Sequence, residues 1–95
     1  MMDAVKVHMD LLGKQGRDKV TGAKGVITCV SFDLYGCIQL VLTPRVKKDG
    51  KPEVGTWFDV TRIEITDKKP VMDLPDYNRG YVAEGRKGAA PKPKK

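Results

Sequence analysis

Two thiols, Cys29 and Cys37, one imidazole, His8, and the carboxylates Asp33, Asp59 and Glu64 carry what covalent or acid–base chemistry this 95-residue chain offers. A nucleophile needs a base within hydrogen-bond reach, and a protein metal site needs several ligands at close spacing. There is no CxxC pair, and His8 stands well before both cysteines in sequence. The carboxylates fall at strand ends or outward positions, where solvation accounts for them. The expectation is therefore a non-enzymatic protein with no catalytic residues, no metal and no cofactor.

Charge suggests a second kind of chemistry. The chain has a net charge of +6 and a pI near 9.4, which points to a polyanionic partner. Residues 1–78 hold 12 basic and 11 acidic side chains, whereas residues 79–95 hold six basic and one acidic. The basic excess thus belongs to the C-terminal segment. Arg79, Arg86, Lys87, Lys92, Lys94 and Lys95 are the candidate phosphate contacts, and Trp57 and Tyr35 are the candidate stacking platforms for an unpaired base.

These residues are positioned by a hairpin between Gly25 and Val46. Val26, Val30, Phe32 and Leu34 alternate in its first strand, and Ile38, Leu40 and Leu42 alternate in its second. If both even-numbered sets face one core, the loop must hold an odd number of residues. Leu34, Tyr35 and Gly36 form such a loop, with Phe32 opposite Ile38, Val30 opposite Leu40 and glycine at the left-handed position. Cys29 then falls opposite Val41. Cys37 lies on the same outer face about 13 Å along it at about 3.4 Å per residue, too far for a disulfide. Two free thiols, no signal peptide and no apolar run able to span a bilayer predict a reducing compartment and no membrane partner.

The first twelve residues read either as a short helix capped by Asp3 and ended by Gly13 or as a strand, with the helix favoured. Residues 13–67 read as the folded body. Arg17 to Thr21 is expected as a short strand with Val20 inward, and Gly22 and Gly25 bracket a tight connection into the hairpin. The segment from Lys47 to Glu53 is a solvated turn with Asp49-Gly50 at its apex. A return strand at Thr56 to Asp59 has Phe58 inward and Trp57 outward or into a groove. A short turn over Val60 to Arg62 leads to a last strand, Arg62 to Thr66, in which Ile63 and Ile65 complete the core. Five short strands with glycine corners predict a mainly β, small five-stranded barrel, closed or nearly so. Residues 68–95, rich in proline, glycine and lysine, read as an extended basic arm, with Val71, Met72, Leu74, Tyr77 and Tyr81 stapling its first half to the barrel.

The Asp-Lys-Val-Thr-Gly opening and the glycine corner resemble KOW, Tudor and other SH3-like barrels. The run from Gly13 to Ile65, with RDKVTGAKGVIT, LYGCIQ, TPRVKKDGK and TWFDVTRIEI, resembles short proteins encoded by bacteriophages and prophages. That resemblance implies a phage or bacterial setting, in the host cytoplasm or the virion, and brings no catalytic residues with it. Two functional classes follow. One is contact with nucleic acid or its machinery, aided by the basic tail. The other is a protein-binding module, either a virion structural or decoration component or an inhibitor of a host protein, with homo-oligomerisation open.

Overall fold

Alternation of apolar side chains builds the hairpin over residues 24–43 on which the fold is laid. The computed structural model describes residues 3–77. Helix α1 spans Ala4–Met9, and strands β1 to β5 span Gln15–Asp18, Lys24–Phe32, Ile38–Thr43, Thr56–Asp59 and Ile63–Asp67, with a 3₁₀ turn at Val60–Arg62 between the last two. In the hairpin Phe32 pairs with Ile38, Val30 with Leu40 and Cys29 with Val41, the register that alternation predicts. The Leu34–Gly36 loop has Gly36 at φ 93°. The Asp33 carboxylate holds this loop by accepting from the Tyr35 and Cys37 amides at 2.9 and 2.8 Å. Both cysteines are free thiols.

One expectation about the hairpin is corrected. The register shifts between Ile27 and Cys29, so a bulge at Thr28 turns the strand over. Upstream of it the odd positions face inward. Ile27, not Val26, lies opposite Leu42 and is 1% exposed. Past the bulge, Phe32 is inward in register but 43% exposed, with the His8 ring edge-on to it at 6.1 Å. That contact seats α1, whose N-terminus is capped by the Asp3 carboxylate accepting from the Val5 amide. Leu11 and Leu12 follow the helix and pack on the core.

All five strands form one antiparallel sheet in the order β4-β3-β2-β1-β5. Here the structure departs from the expected barrel, because β4 and β5 are edge strands with no ladder between them and the sheet does not close. Yet these edges are consecutive in sequence and joined by only the Val60–Arg62 turn. A flat sheet would separate them by four strand spacings, about 19 Å, whereas a 3₁₀ turn advances about 2 Å per residue. The sheet must therefore curl strongly, and it wraps around Ile27, Leu40, Leu42 and Phe58, with Val30, Val60, Ile63 and Ile65 packed against them. Side chains rather than strand pairing fill the seam.

The first strand also differs from expectation. It runs over Gln15–Asp18 rather than Arg17 to Thr21, and Val20 is 72% exposed instead of inward. Asp18 causes this. Its carboxylate accepts from the Val20 and Thr21 amides and from the Thr21 hydroxyl, and its carbonyl accepts from the Gly22 amide. These bonds close the Asp-Lys-Val-Thr-Gly run into a turn before it can extend. After β5 the Val71 amide donates to the Gly13 carbonyl at 2.8 Å, which ties the described part of the arm back to the body. Val71, Met72, Leu74 and Tyr77 are exposed, so they do not staple the arm as expected, and Tyr81 lies outside the described residues.

Gly25 tests this packing. A Cβ there would lie 2.7 Å from the Thr43 carbonyl oxygen and 3.0 Å from its nitrogen, atoms of the neighbouring strand's backbone that cannot swing aside. Gly25→Ala is expected to destabilise the domain by about 2 kcal/mol or more through overpacking, read as a lower midpoint in a urea melt.

Candidate functional site

Register assigns the outward face of the sheet. Trp57 lies opposite Val41, and Val41 opposite Cys29, which makes a row across β4, β3 and β2. Asp59, Gln39 and Ser31 make the next row toward the hairpin tip. On the other side of the Trp57 row come Thr43, Val26 and Gln15. Trp57 is 50% exposed, and no described element covers it. Gly55 leads into β4 flat against this face, where an added Cβ would fall 2.5 Å from Val41 Cγ1 and 2.8 Å from Thr43 Oγ1.

Beside the Trp57 row the face sinks into an open groove. Lys24, Val26, Thr28, Thr43, Pro44 and Arg45 form most of its lining. Pro44 helps create it: β3 ends at Thr43, and the chain leaves the sheet there, carrying Arg45 and Val46 along one wall. The Thr28 and Thr43 hydroxyls hydrogen-bond each other at 2.8 Å across the bulge. No carboxylate lines the groove. Among the described residues neither Lys24 nor Arg45 has an ion-pair partner, whereas Arg17 is held by Glu64 at 3.0 Å and Lys47 by Glu53 at 3.9 Å.

The structure does not bring the two candidate aromatics together. Tyr35 is at the hairpin tip, 87% exposed beside Leu34 at 89%, about 14 Å along the strands from the Trp57 row. The basic candidates Arg79, Arg86, Lys87, Lys92, Lys94 and Lys95 lie outside the described residues.

The groups with catalytic potential have structural attachments. His8 Nδ1 lies 2.7 Å from the Ala4 carbonyl, and its ring meets Phe32, which is on the opposite face of β2 from Cys29. Asp59 caps the 3₁₀ turn, accepting from the Thr61 amide and hydroxyl, the hydroxyl first among the causes that hold its carboxyl below the ordinary range. Asp33 is lowered first by the Cys37 amide. The Asp33 charge in turn raises the Cys37 thiol, which disfavours its thiolate. Among the described residues no group of three His, Cys, Asp or Glu side chains could hold a metal ion.

Sequence reasoning missed the most buried polar pair. Asp18 is 0% exposed and binds Arg62 through two bonds, Nε to Oδ1 at 2.9 Å and Nη2 to Oδ2 at 2.6 Å. The guanidinium also lies 5.2 Å from the centre of the Phe58 ring. This pair is architecture: it ties the end of β1 to the turn that spans the seam. The Asp-x-x-Thr-Gly spacing is a turn signature that could have revealed Asp18 as a cap. Nothing local revealed Arg62 as its partner.

No protein family, curated protein or solved structure matches this chain. Among the described residues no helix is long and apolar enough to cross a membrane.

Proposed function

We propose that this chain is a non-enzymatic binding module of SH3-like architecture and phage type, which contacts nucleic acid through the outward face of its sheet while the basic C-terminal residues add affinity. The observation that carries this reading is Trp57, half-exposed on a sheet face that no described element covers, beside a groove whose charged side chains are all cationic. An aromatic next to cations that no described carboxylate pairs matches the alternation of bases and phosphates in a nucleic-acid strand. The strand order and the 3₁₀ link between β4 and β5 support the SH3-like assignment. The resemblance of the Gly13 to Ile65 run to short phage-encoded proteins is the ground for proposing a setting in the infected cell or the particle.

Residues 79–95 contribute five of the six net positive charges, so the affinity should divide in a testable way. A chain ending at Glu84 loses Arg86, Lys87, Lys92, Lys94 and Lys95. Its binding to single-stranded DNA or RNA is expected to weaken by tenfold or more at low salt, with a log–log salt slope shallower by about 3. Equal affinity and slope for the two chains would remove the tail from the account.

A second reading rests on the hairpin tip. Leu34 and Tyr35 project from a turn fixed by Asp33 and are almost fully exposed, which is the form of a small protein-docking knob. A partner held there would be lost with Leu34→Ala/Tyr35→Ala, and its capture would survive both high salt and truncation at Glu84.

A further inference from the structure

We infer that the groove bounded by Lys24 and Arg45 is a phosphodiester site for single-stranded nucleic acid, placed so that a base next to the bound phosphate stacks on Trp57. This rests on the nucleic-acid reading above and makes it specific. Charge supplies the first argument. Lys24 and Arg45 both line the groove, neither is neutralised by a described carboxylate, and no acidic side chain is part of the lining. Among the described residues the paired cations are Lys6, Arg17, Lys47 and Arg62, so Lys24 and Arg45 are distinguished by sharing one groove. Two cations that line one groove with no described carboxylate beside them have their charge available for an anion.

Register supplies the second argument. Thr43 in the groove follows Val41 on the outward face of β3, and Val41 is the cross-strand neighbour of Trp57. Diagonal neighbours of this kind are about 7–8 Å apart, within reach of an aromatic side chain. The indole therefore stands one step along the face from the cationic groove. A duplex keeps its bases stacked inside, where a tryptophan on an open sheet cannot meet them, so this arrangement selects an unpaired strand. Besides the cations and the amide of Gln15, the groove lining is apolar surface and hydroxyls, from Val26, Pro44 and the Thr28–Thr43 pair. Binding should then tolerate sequence.

Trp57 is the only tryptophan in the chain, so its fluorescence reports on this face alone. The full chain is titrated with a (dT)12 oligonucleotide and with a 12-base-pair duplex, alongside Lys24→Ala/Arg45→Ala and a Lys68→Ala/Lys69→Ala control that removes the same charge after β5. The proposal expects (dT)12 to quench Trp57 and bind more tightly than the duplex. It expects the groove variant to bind about tenfold or more weakly, with a salt slope shallower by about 1 to 2, and to bind more weakly than the control. Binding of (dT)12 with unchanged Trp57 emission and equal losses in the two variants would overturn the groove site and leave tail-driven nucleic-acid binding standing. No binding of either oligonucleotide by the full chain would overturn both. Poly-glutamate binding with the same quenching, affinity and groove dependence as (dT)12 would overturn the assignment to a phosphodiester and mark an acidic-peptide site instead.

Discussion

Asp18→Ala lowers the melting temperature by about 10 °C or more, the largest single-residue effect on stability expected in this domain. The carboxylate is fully buried and receives donors from three residues: the Val20 amide, the Thr21 amide and hydroxyl, and the Arg62 guanidinium. Alanine leaves these donors without an acceptor and releases both the first turn and the seam. Arg62→Ala should be comparably harmful, because it strands a buried carboxylate and removes the cation from the Phe58 ring. In a double-mutant cycle the two losses should be far from additive. The pH dependence has a definite sign. Arg62 is the main cause holding the Asp18 carboxyl well below the usual carboxylate range. A carboxyl lowered in the folded state contributes its full stabilisation above the unfolded value, about 3.9, and loses it as pH falls from there toward the folded value. Thermal melts followed by circular dichroism should show stability falling below about pH 4, with a shallower acid dependence in Asp18→Asn. An unchanged melting temperature in Asp18→Ala would contradict the role given to the pair.

Trp57→Ala gives the largest single-residue effect expected on binding. Removing one base-stacking aromatic costs about 1–3 kcal/mol, a loss of roughly 5- to 150-fold in affinity for a single strand. Stability should change little, because the side chain is half-exposed on the face opposite the core. The salt slope should not change, since an indole displaces no counterions. Isothermal titration at two salt concentrations separates these effects. A weaker Kd at constant slope supports stacking. An unchanged Kd would place the nucleic acid elsewhere.

How much of this was legible in the sequence depended on how local the cause was. The hairpin register, β4 at Thr56–Asp59 and the turn at Val60–Arg62 were readable, because alternation, an odd-length loop and the Asp59–Thr61 cap act within a few residues. The Thr28 bulge was not. Val26 and Ile27 are both apolar and β-branched, so neither alternation nor propensity distinguishes which faces the core; Gly25 settles it only once its approach to the Thr43 backbone is known. The open sheet was hidden for a similar reason, since strand count and glycine corners are the same whether edges pair or are bridged by Arg62. At the candidate site, the outward position of Trp57 followed from Phe58 being inward. Lys24 and Arg45 were passed over because 20 residues separate them and only pairing of β2 with β3 brings them to one groove.

The most direct test of nucleic-acid binding is the affinity of the full chain for a labelled 20-nucleotide single strand, measured by fluorescence anisotropy from about 50 to 200 mM salt. The account predicts binding that weakens steeply, with a log–log slope of about −3 to −5 from a handful of phosphate contacts. No binding at the low end of that range would contradict it and turn attention to Leu34 and Tyr35 as the knob of a protein-docking module.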